Sequence, residues 1–563
     1  MPHPSAIVAI PTTGRPDHLD HALRAVLPQA GEHGVEVLVV DDGPSAATRD
    51  LATHHDVRCL VHPRRRGLNA SRNAAIAATD TDLVCFLDDD AEVCDGWLRA
   101  LLDAASSTPD AAALGGPVLA RLGGRDPGRD GALAPPISHL DLGPNDRDCD
   151  RLWGANLTVR RAAVEQIGPF DPSHQIYGDE EEWLARARAA GWRVRYVAGA
   201  AVLHHRSAAE STTPALARTR WRNGQASRRA DLRRGDAPGV AAEAGNVVRN
   251  AGGLVRHPDP SHLWATSHAL GRLHEAAFGY PPAGPATPGV DDFLSGTSGV
   301  VAGRRARVLA AHDRWLDLRL AVRGTGRRLD ALAATVPTED VLAVIPARPH
   351  NADLVRGLRE RLRSQRHRVD LRIVDPAGRP RFATVQAAID EALAGRPDGS
   401  PFDRVLLVDD DIELPRRFLD RFVGLCSAAG LDLAQPAHRR HGHAAWPITR
   451  RRPGVAWRRT TFVEIGPLTA FSARACGVLL PFSPDVGMGW GLDAHWAALA
   501  SEHDLRCGIV DALPVGHLAA PAATAYGRDD AVAAARALLA DRPYLPRWEI
   551  TTVDAHDAPP RPR

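Results

Sequence analysis

Three consecutive aspartates, Asp88, Asp89 and Asp90, follow the apolar run LVCFL, and three more, Asp409, Asp410 and Asp411, follow RVLLV. Neighbouring carboxylates about 5 Å apart repel by roughly 1–3 kcal/mol at effective dielectrics of 20–80. A cation relieves that repulsion. Mg²⁺ or Mn²⁺ prefers oxygen ligands and is commonly held by one or two carboxylates together with phosphate oxygens. Acids stacked at a strand end therefore fit a divalent-metal site for a nucleotide diphosphate. Capping a following helix accounts for one Asp in each run, but not for three in two places. Each run is also followed, further along, by an acid and then a histidine. The interval from Glu180 to His204 equals that from Asp493 to His517, and Trp183 and Trp496 each lie three residues after their acid.

These residues need a scaffold to bring them together. The segments AIVAI (6–10), VEVLVV (35–40), VRCLV (57–61) and LVCFL (83–87) are short, apolar and rich in β-formers. HLDHALRAVLPQA, a stretch after Pro44 and NASRNAAIAAT lie between them with helical patterning. Such alternation predicts βαβ units and a largely parallel sheet. Sheets of this kind bind ligands at the carboxyl ends of their strands, and Asp41, Asp42 and Asp88–Asp90 all fall at that edge. Residues 121–150, rich in Gly, Pro and Asp, read as a long surface loop, and long loops often cover substrates. GDEEEWLARARAAGW reads as a helix with acids in its first turn, where the helix dipole favours them.

The pattern then repeats. VLAVIPARPHNADLVRGLRERL parallels AIVAIPTTGRPDHLDHALRAVL, DLRIVDPAG parallels EVLVVDDGP, and RVLLVDDD parallels LVCFLDDD. We read an internal duplication with four parts: a first domain over 1–206, a helical connector over 207–335, a second domain over 336–545 and a tail over 546–563. The fold class is α/β, with two Rossmann-like domains of mostly parallel sheet joined by helices. In the connector, RTRWRNGQASRRADLRR carries seven arginines. It reads as a solvated helix face, with contact to a diphosphate or anionic lipid as the sharper alternative.

Composition narrows the chemistry. The chain has 563 residues, too many for one ordinary core, and a formal net charge of +1, which gives no global field toward nucleic acid. It contains no lysine. That excludes a pyridoxal Schiff base, a Walker-type phosphate loop and a kinase strand lysine, and it counts against nucleotidyltransferases and haloacid-dehalogenase-type phosphatases. The seven cysteines are scattered without a CxxC pair, which argues against a zinc or disulfide framework and for a reducing cytoplasm. The N-terminus lacks the pattern of a signal peptide, and no apolar run approaches the ~20 residues of a membrane helix. A cytoplasmic location is expected, with room for peripheral contact at the inner face of the membrane.

Taken together, AIPTTGRP, VLVVDDG, GLNASRNAAI, FLDDD, GANLTVRRAAVEQIGPFD, GDEEEWLARARAAGW and AVLHH resemble the family 2 glycosyltransferases, which have the nucleotide-sugar-binding GT-A fold. The resemblance covers residues 5–206. It implies a nucleoside pocket lined by Pro11, Thr12, Arg15, Asp41 and Asp42, with Arg72 and Asn73 nearby. Asp88 and Asp90 would bind the metal, with Asp89 beside the donor and His204 or His205 as a further ligand. Gly154 and Asn156 would lie near the sugar or acceptor. It also implies inversion in a single displacement, with Glu180 as base, although the order Asp179-Glu180 reverses the family's usual Glu-Asp and leaves Asp179 as an alternative.

Residues 400–520 look like a poorly characterised glycosyltransferase group of the same GT-A clan, through DLAQPA, FVEIGPLTAFS, GMGWGLD and GIVDALPVGHL. By analogy Asp409 and Asp411 hold metal, Asp410 and Asp375 lie on the donor side, His517 completes the site and Asp493 is the base. Pro376 stands where the first domain has the second acid of its nucleoside pair. Trp153 and Trp490 suit either sugar stacking on the acceptor side or a core position. The expected cofactors are Mg²⁺ or Mn²⁺ and a UDP-, GDP- or dTDP-sugar, and the acceptor is a glycan, lipid-linked glycan or natural product. Two readings of the whole follow: a bifunctional enzyme with two active sites, or one active domain with a silent glycan-binding or scaffolding module.

Overall fold

The protein, described here from a computed structural model, is defined over residues 3–124, 139–172, 179–257, 260–280, 283, 289–297, 299–396, 399–517 and 527–560. The chain forms two units, Met1–Gly279 and Tyr280–Arg563.

The first unit contains strands β1 (Ala6–Thr12), β2 (Glu36–Asp41), β3 (Arg58–Val61), β4 (Leu83–Leu87), β5 (Ala91–Val93), β6 (Ala111–Gly115), β7 (Val118–Leu122), β8 (Arg147–Asp148), β9 (Asn156–Arg160), β10 (Arg193–Tyr196) and β11 (Val202–Arg206). Its helices are α1 (Pro16–His33), α2 (Ala46–His54), α3 (Leu68–Ala77), α4 (Trp97–Ser107), α5 (Arg161–Ile167), α6 (Asp179–Ala189), α7 (Thr213–Arg234), α8 (Val240–Arg256) and α9 (Pro260–Phe278). Local chemistry sets several boundaries. Pro16 opens α1, where a missing N–H costs nothing, and Gly34 closes it at φ 64°, a conformation glycine adopts freely. Ser45 caps α2 by accepting the Thr48 N–H.

The main sheet runs β3-β2-β1-β4-β9-β6-β10-β8, and a small sheet runs β5-β11-β7. The pairings β1–β2, β2–β3, β1–β4 and β6–β10 are parallel, whereas β9 runs antiparallel to both neighbours. The expected parallel sheet is therefore mixed in its second half. β1, β4 and β6 are apolar on both faces because helices cover both.

The second unit contains β12 (Asp340–Pro346), β13 (Arg368–Val374), β14 (Arg404–Val408), β15 (Ile412–Glu413), β16 (Leu433–His438), β17 (Trp457–Thr460), β18 (Leu468–Ser472), β19 (Cys507–His517) and β20 (Thr552–His556). Its helices are α10 (Gly303–Val322), α11 (Thr325–Thr335), α12 (Ala352–Arg361), α13 (Arg381–Ala394), α14 (Phe418–Ala429), α15 (Ala473–Leu479), α16 (Leu492–Glu502) and α17 (Arg528–Leu539). Its sheet runs β13-β12-β14-β18-β16-β19-β17-β20. Strand for strand, β13, β12, β14, β18, β16, β19 and β17 take the places of β2, β1, β4, β9, β6, β10 and β8, with the same parallel or antiparallel sense at each pairing.

Side chains follow the repeat. Trp183 and Trp496 are both fully buried and pack on Phe170 and Phe482, at ring-centroid distances of 5.2 and 6.0 Å. The N–H of Phe170 donates to Asn73 Oδ1 at 3.0 Å, and that of Phe482 to Gln386 Oε1 at 2.8 Å. Each aromatic pair thus tethers the loop before the acidic helix to the helix that precedes the Asp-bearing strand.

The helices read as one connector are divided between the units: α7–α9 belong to the first, α10 and α11 to the second. Two arginines of the basic stretch on α7 are not simply solvated, since Arg228 pairs with Glu243 at 3.0 Å and Arg229 with Glu275 at 2.8 Å. Among the described residues, no helix is long and apolar enough to cross a membrane. Part of the expected loop over 121–150, residues 125–138, lies outside the described residues.

Candidate active site

In the first unit the carboxyl ends of β1, β2 and β4 meet. Asp89 is fully buried and accepts the Thr12 hydroxyl at 2.6 Å and Arg15 Nε at 3.1 Å, while Arg15 Nη1 reaches Asp90 at 3.1 Å. Burial pushes the Asp89 carboxyl up to about 7, against the pull of Arg15 and Thr12. Register places the histidine. β11 pairs antiparallel with β5 so that His204 faces Ala91, directly after the Asp run, and His204 Nε2 lies 2.9 Å from Asp90 Oδ1. Burial opposes charge on both, but their mutual attraction lowers the Asp90 carboxyl and raises the His204 imidazole. Asp88 is raised by burial and then by the neighbouring Asp90.

One ligand atom each from Asp88, Asp90 and His204 lies within 4.8 Å of the others. Two carboxylates and an imidazole suit a divalent cation such as Mg²⁺ or Mn²⁺. His204 Nδ1 is buried without a hydrogen-bond partner among the described residues, an unsatisfied polar atom of the kind that accompanies a functional centre. The residues present fit the metal that the sequence led us to expect.

The two acids after β2 separate in role. Asp42 is opposed by burial but held below the usual carboxylate range by His62 and by the backbone N–H groups of Arg66 and Gly67, at 2.7 and 2.9 Å. It fixes the loop into α3. Asp41 is fully buried and raised by burial; one oxygen accepts the Ser45 N–H at 2.8 Å, while Oδ1 has no partner among the described residues.

Glu180, the second residue of α6, is buried, and its Oε1 accepts the Gly154 N–H at 3.3 Å. A Cβ at Gly154 would sit 2.1 Å from Arg72 Nη2, so any larger residue there would displace the guanidinium. The Arg72 guanidinium lies over Phe170 at 5.5 Å and its charge lowers Asp88. Other expected residues turn elsewhere. Asn73 is spent on the backbone of Phe170. Asn156 accepts the Trp97 indole N–H at 2.9 Å and donates to Ala200 O at 2.7 Å, inside the core. Trp153 donates its indole N–H to His139 O at 2.9 Å, and Pro11 is buried in β1. Asp179 begins α6, and its side chain lies outside the described residues.

The second unit repeats the frame with different partners. β15 pairs with β19 so that Ile412 faces His517, the register of Ala91 and His204. Arg348 takes the part of Arg15: its backbone N–H donates to Asp410 Oδ2 at 2.6 Å, and Nη2 reaches Asp410 at 2.5 Å and Asp411 at 3.1 Å. Arg381 Nη2 donates to Asp409 Oδ1 at 2.5 Å. Burial still raises Asp409 despite Arg381. His517 Nε2 is 3.7 Å from Asp411 Oδ1, and Asp409, Asp411 and His517 do not form a close trio like the first site's. Asp493, second in α16, accepts the Trp446 indole N–H at 2.8 Å, and burial with the nearby Glu464 pushes it up to about 7. Asp375 is exposed and caps its own turn through the Ala377 N–H at 2.9 Å. Trp490 packs in a cluster with Phe293, Ala494, Ala535 and Leu539.

Arg348, Arg381 and Glu464 were missed in the sequence. Arg348 lies two residues after Pro346 where Arg15 lies four after Pro11, so spacing alone hid the match. Aligning α13 with α3, the helix before each Asp-bearing strand, places Val385, not arginine, against Arg72, yet Arg381 reaches the first Asp from one turn earlier.

The fold and site define an α/β protein whose acids, arginine and histidine converge at a sheet's carboxyl edge. The sequence model of glycosyl transferase family 2 matches residues 7–168. An N-acetylglucosaminyl-diphospho-decaprenol L-rhamnosyltransferase of Mycobacterium tuberculosis is 32% identical over 250 residues, 37% of this chain and 78% of that relative. A pre-mycofactocin glycosyltransferase of the same species is 32% identical over 185 residues, 31% of this chain, and the match spans 38% of that relative's length. A crystal structure of GalNAc-T7 with UDP, GalNAc and Mn²⁺ is similar at a TM-score of 0.31 and 15% identity, over 39% of this chain and 48% of that one. The chain belongs to glycosyl transferase family 2.

Proposed function

We propose that the first unit is a metal-dependent, inverting transferase that moves a sugar from a nucleotide-diphosphate donor to an acceptor hydroxyl. The observation that carries this reading is the convergence of Asp88, Asp90 and His204 within 4.8 Å beside Arg15. Thr12, Arg15, Asp41 and Asp42 sit where the strand ends would receive the nucleotide. Glu180, oriented by the Gly154 N–H, takes the proton from the acceptor hydroxyl as its oxygen bonds to the sugar's C1; the bond from C1 to the diphosphate breaks and its electron pair leaves with the diphosphate. Attack opposite the leaving group inverts C1. A general base needs hydrogen-bond reach to the proton it removes, and the buried Glu180, held by the Gly154 N–H, is placed for that purpose. Mg²⁺ or Mn²⁺, when bound by Asp88, Asp90 and His204, would stabilise charge on the departing diphosphate. The rhamnosyltransferase relative, by its name, acts on a lipid-linked sugar diphosphate, which supports an acceptor of that class.

The repeated frame, with Asp493 in the place of Glu180, supports a second transfer site in the second unit. A silent glycan-binding or scaffolding role for that unit is favoured by one observation: Asp409, Asp411 and His517 form no close trio, His517 lying 3.7 Å from Asp411. Thermal shift of the full-length protein with UDP, GDP and dTDP, with and without Mn²⁺, tests the main reading. Stabilisation should require Mn²⁺ and be lost in Asp90→Asn. Equal stabilisation without metal would overturn it.

A further inference from the structure

A second group of metal-binding side chains lies outside the donor site. His21 on α1, Glu92 on β5 and His205 on β11 come from three separate parts of the chain. His21 Nε2 is 3.0 Å and His205 Nε2 2.7 Å from the same oxygen, Glu92 Oε2, and the two imidazoles meet edge to face with centroids 4.8 Å apart. One ligand atom from each lies within 4.8 Å of the others. A cavity of about 260 Å³, lined by Asp17, His18, His21, Asp90 and His205, opens beside them. Adjacent strand residues point to opposite sides, so His204 serves the donor-site trio while His205 joins a different one.

We propose that His21, Glu92 and His205 form a second divalent-metal site, separate from Asp88, Asp90 and His204 and selective for Zn²⁺. Two imidazole nitrogens and one carboxylate make a donor set that suits zinc, whereas Mg²⁺ favours oxygen. Three protein ligands leave a fourth position for water. The ion would tie α1 to the small sheet. Arg15, which holds Asp89 and Asp90, is the residue immediately before α1, so a metal clamp at His21 would steady the helix end that places it.

The test uses full-length protein stripped with chelator and titrated with Zn²⁺ alone, read by binding stoichiometry and thermal shift. Wild type and the Asp88→Asn/Asp90→Asn double variant should each bind this Zn²⁺ and gain stability. His21→Ala should bind it more than about tenfold more weakly, since changes to outer-shell partners of a metal ligand alone cost about 10–100-fold. His21 is on the helix surface, so circular dichroism should be unchanged in that variant, and Glu92→Gln gives an independent substitution on the sheet side. Undiminished Zn²⁺ affinity in both His21→Ala and Glu92→Gln, or loss of this ion in the Asp88→Asn/Asp90→Asn variant, would overturn the proposal.

Discussion

The two Asp-bearing strand ends share a frame and differ in what surrounds it. At the first, the third Asp pairs with a buried histidine at 2.9 Å and the first Asp is left to join them. At the second, the histidine stands 3.7 Å from its Asp and the first Asp is taken by Arg381. The candidate bases differ too. Glu180 accepts the Gly154 N–H at 3.3 Å, while Asp493 is held by an indole N–H at 2.8 Å and by the Ala494 N–H at 2.9 Å. Strand order and register fix where an acid stands. Whether that acid can bind a cation or accept a proton depends on the neighbouring side chains.

The largest difference should appear in activity. Replacing a positioned general base costs about 10²–10⁴ in rate. Glu180→Gln should therefore lower kcat by that much with little change in donor affinity, measured as nucleotide-sugar turnover in the full-length protein. If the second unit transfers a different sugar, Asp493→Asn should abolish that product alone; if it is silent, product and donor hydrolysis should stay unchanged. An unaltered rate in Glu180→Gln would remove it from the base position.

Asp493 also gives the second site a pH signature. Its folded-state pKa of about 7 lies above the ordinary 3.8, so the folded protein holds a proton that the unfolded chain has released. That contribution to stability is complete below about pH 4 and is lost as pH rises through 7. Wild type should lose roughly 2–4 kcal/mol more than Asp493→Asn between pH 4 and 8. Denaturant unfolding across that range measures the difference, and parallel curves for the two proteins would contradict it.

Much of this was legible in the sequence, for identifiable reasons. Strands β1, β2 and β4 are apolar on both faces, so their position and the placement of Asp41 and Asp88–Asp90 followed from pattern. The equal intervals from acid to histidine marked the repeat, because each spans a packed helix followed by strand, a unit that tolerates few insertions. The antiparallel course of β9 left no trace, since LTVR reads as a strand in either direction. Nor did the inward turn of Asn156 or the tether made by Asn73. Amides serve ligand and backbone equally well, and only the neighbours Trp97 and Phe170 decide. Arg381 was hidden because an arginine reaches over more than one helical turn, so its position in a motif does not fix where its charge lies.

Gly154 and Gly466 sharpen the contrast in packing. Each faces an arginine, but a Cβ at 154 would meet Arg72 Nη2 at 2.1 Å, and one at 466 would meet Asp409 Oδ2 at 2.9 Å, with Arg381 behind it. Arg72 is fully buried, whereas the Asp409 side chain is 25% exposed. Overpacking in a filled interior costs about 1–3 kcal/mol. Gly154→Ala should fall at the upper end, with loss of transfer, and Gly466→Ala at or below the lower end. Equal losses in unfolding free energy would mean that the two arginines are held alike.

The smallest effect concerns the middle Asp of each run. Asp89 depends on a side-chain hydroxyl, that of Thr12 at 2.6 Å, where Asp410 uses the backbone N–H of Arg348 at the same distance. Removing a donor from a buried acceptor costs about 1–3 kcal/mol, and Arg15 still covers Asp89 when the hydroxyl is gone. Thr12→Val should thus lower stability by about 1 kcal/mol, while Thr12→Ser, which keeps the donor, should stay within about 0.5 kcal/mol of wild type. At the second site the matching donor is a main-chain N–H, which only a change to proline would remove, and the Arg348 and Asn351 side chains add to it. If valine and serine at position 12 gave the same unfolding free energy, the hydroxyl would have no part in holding Asp89, and the arginine alone would account for its position.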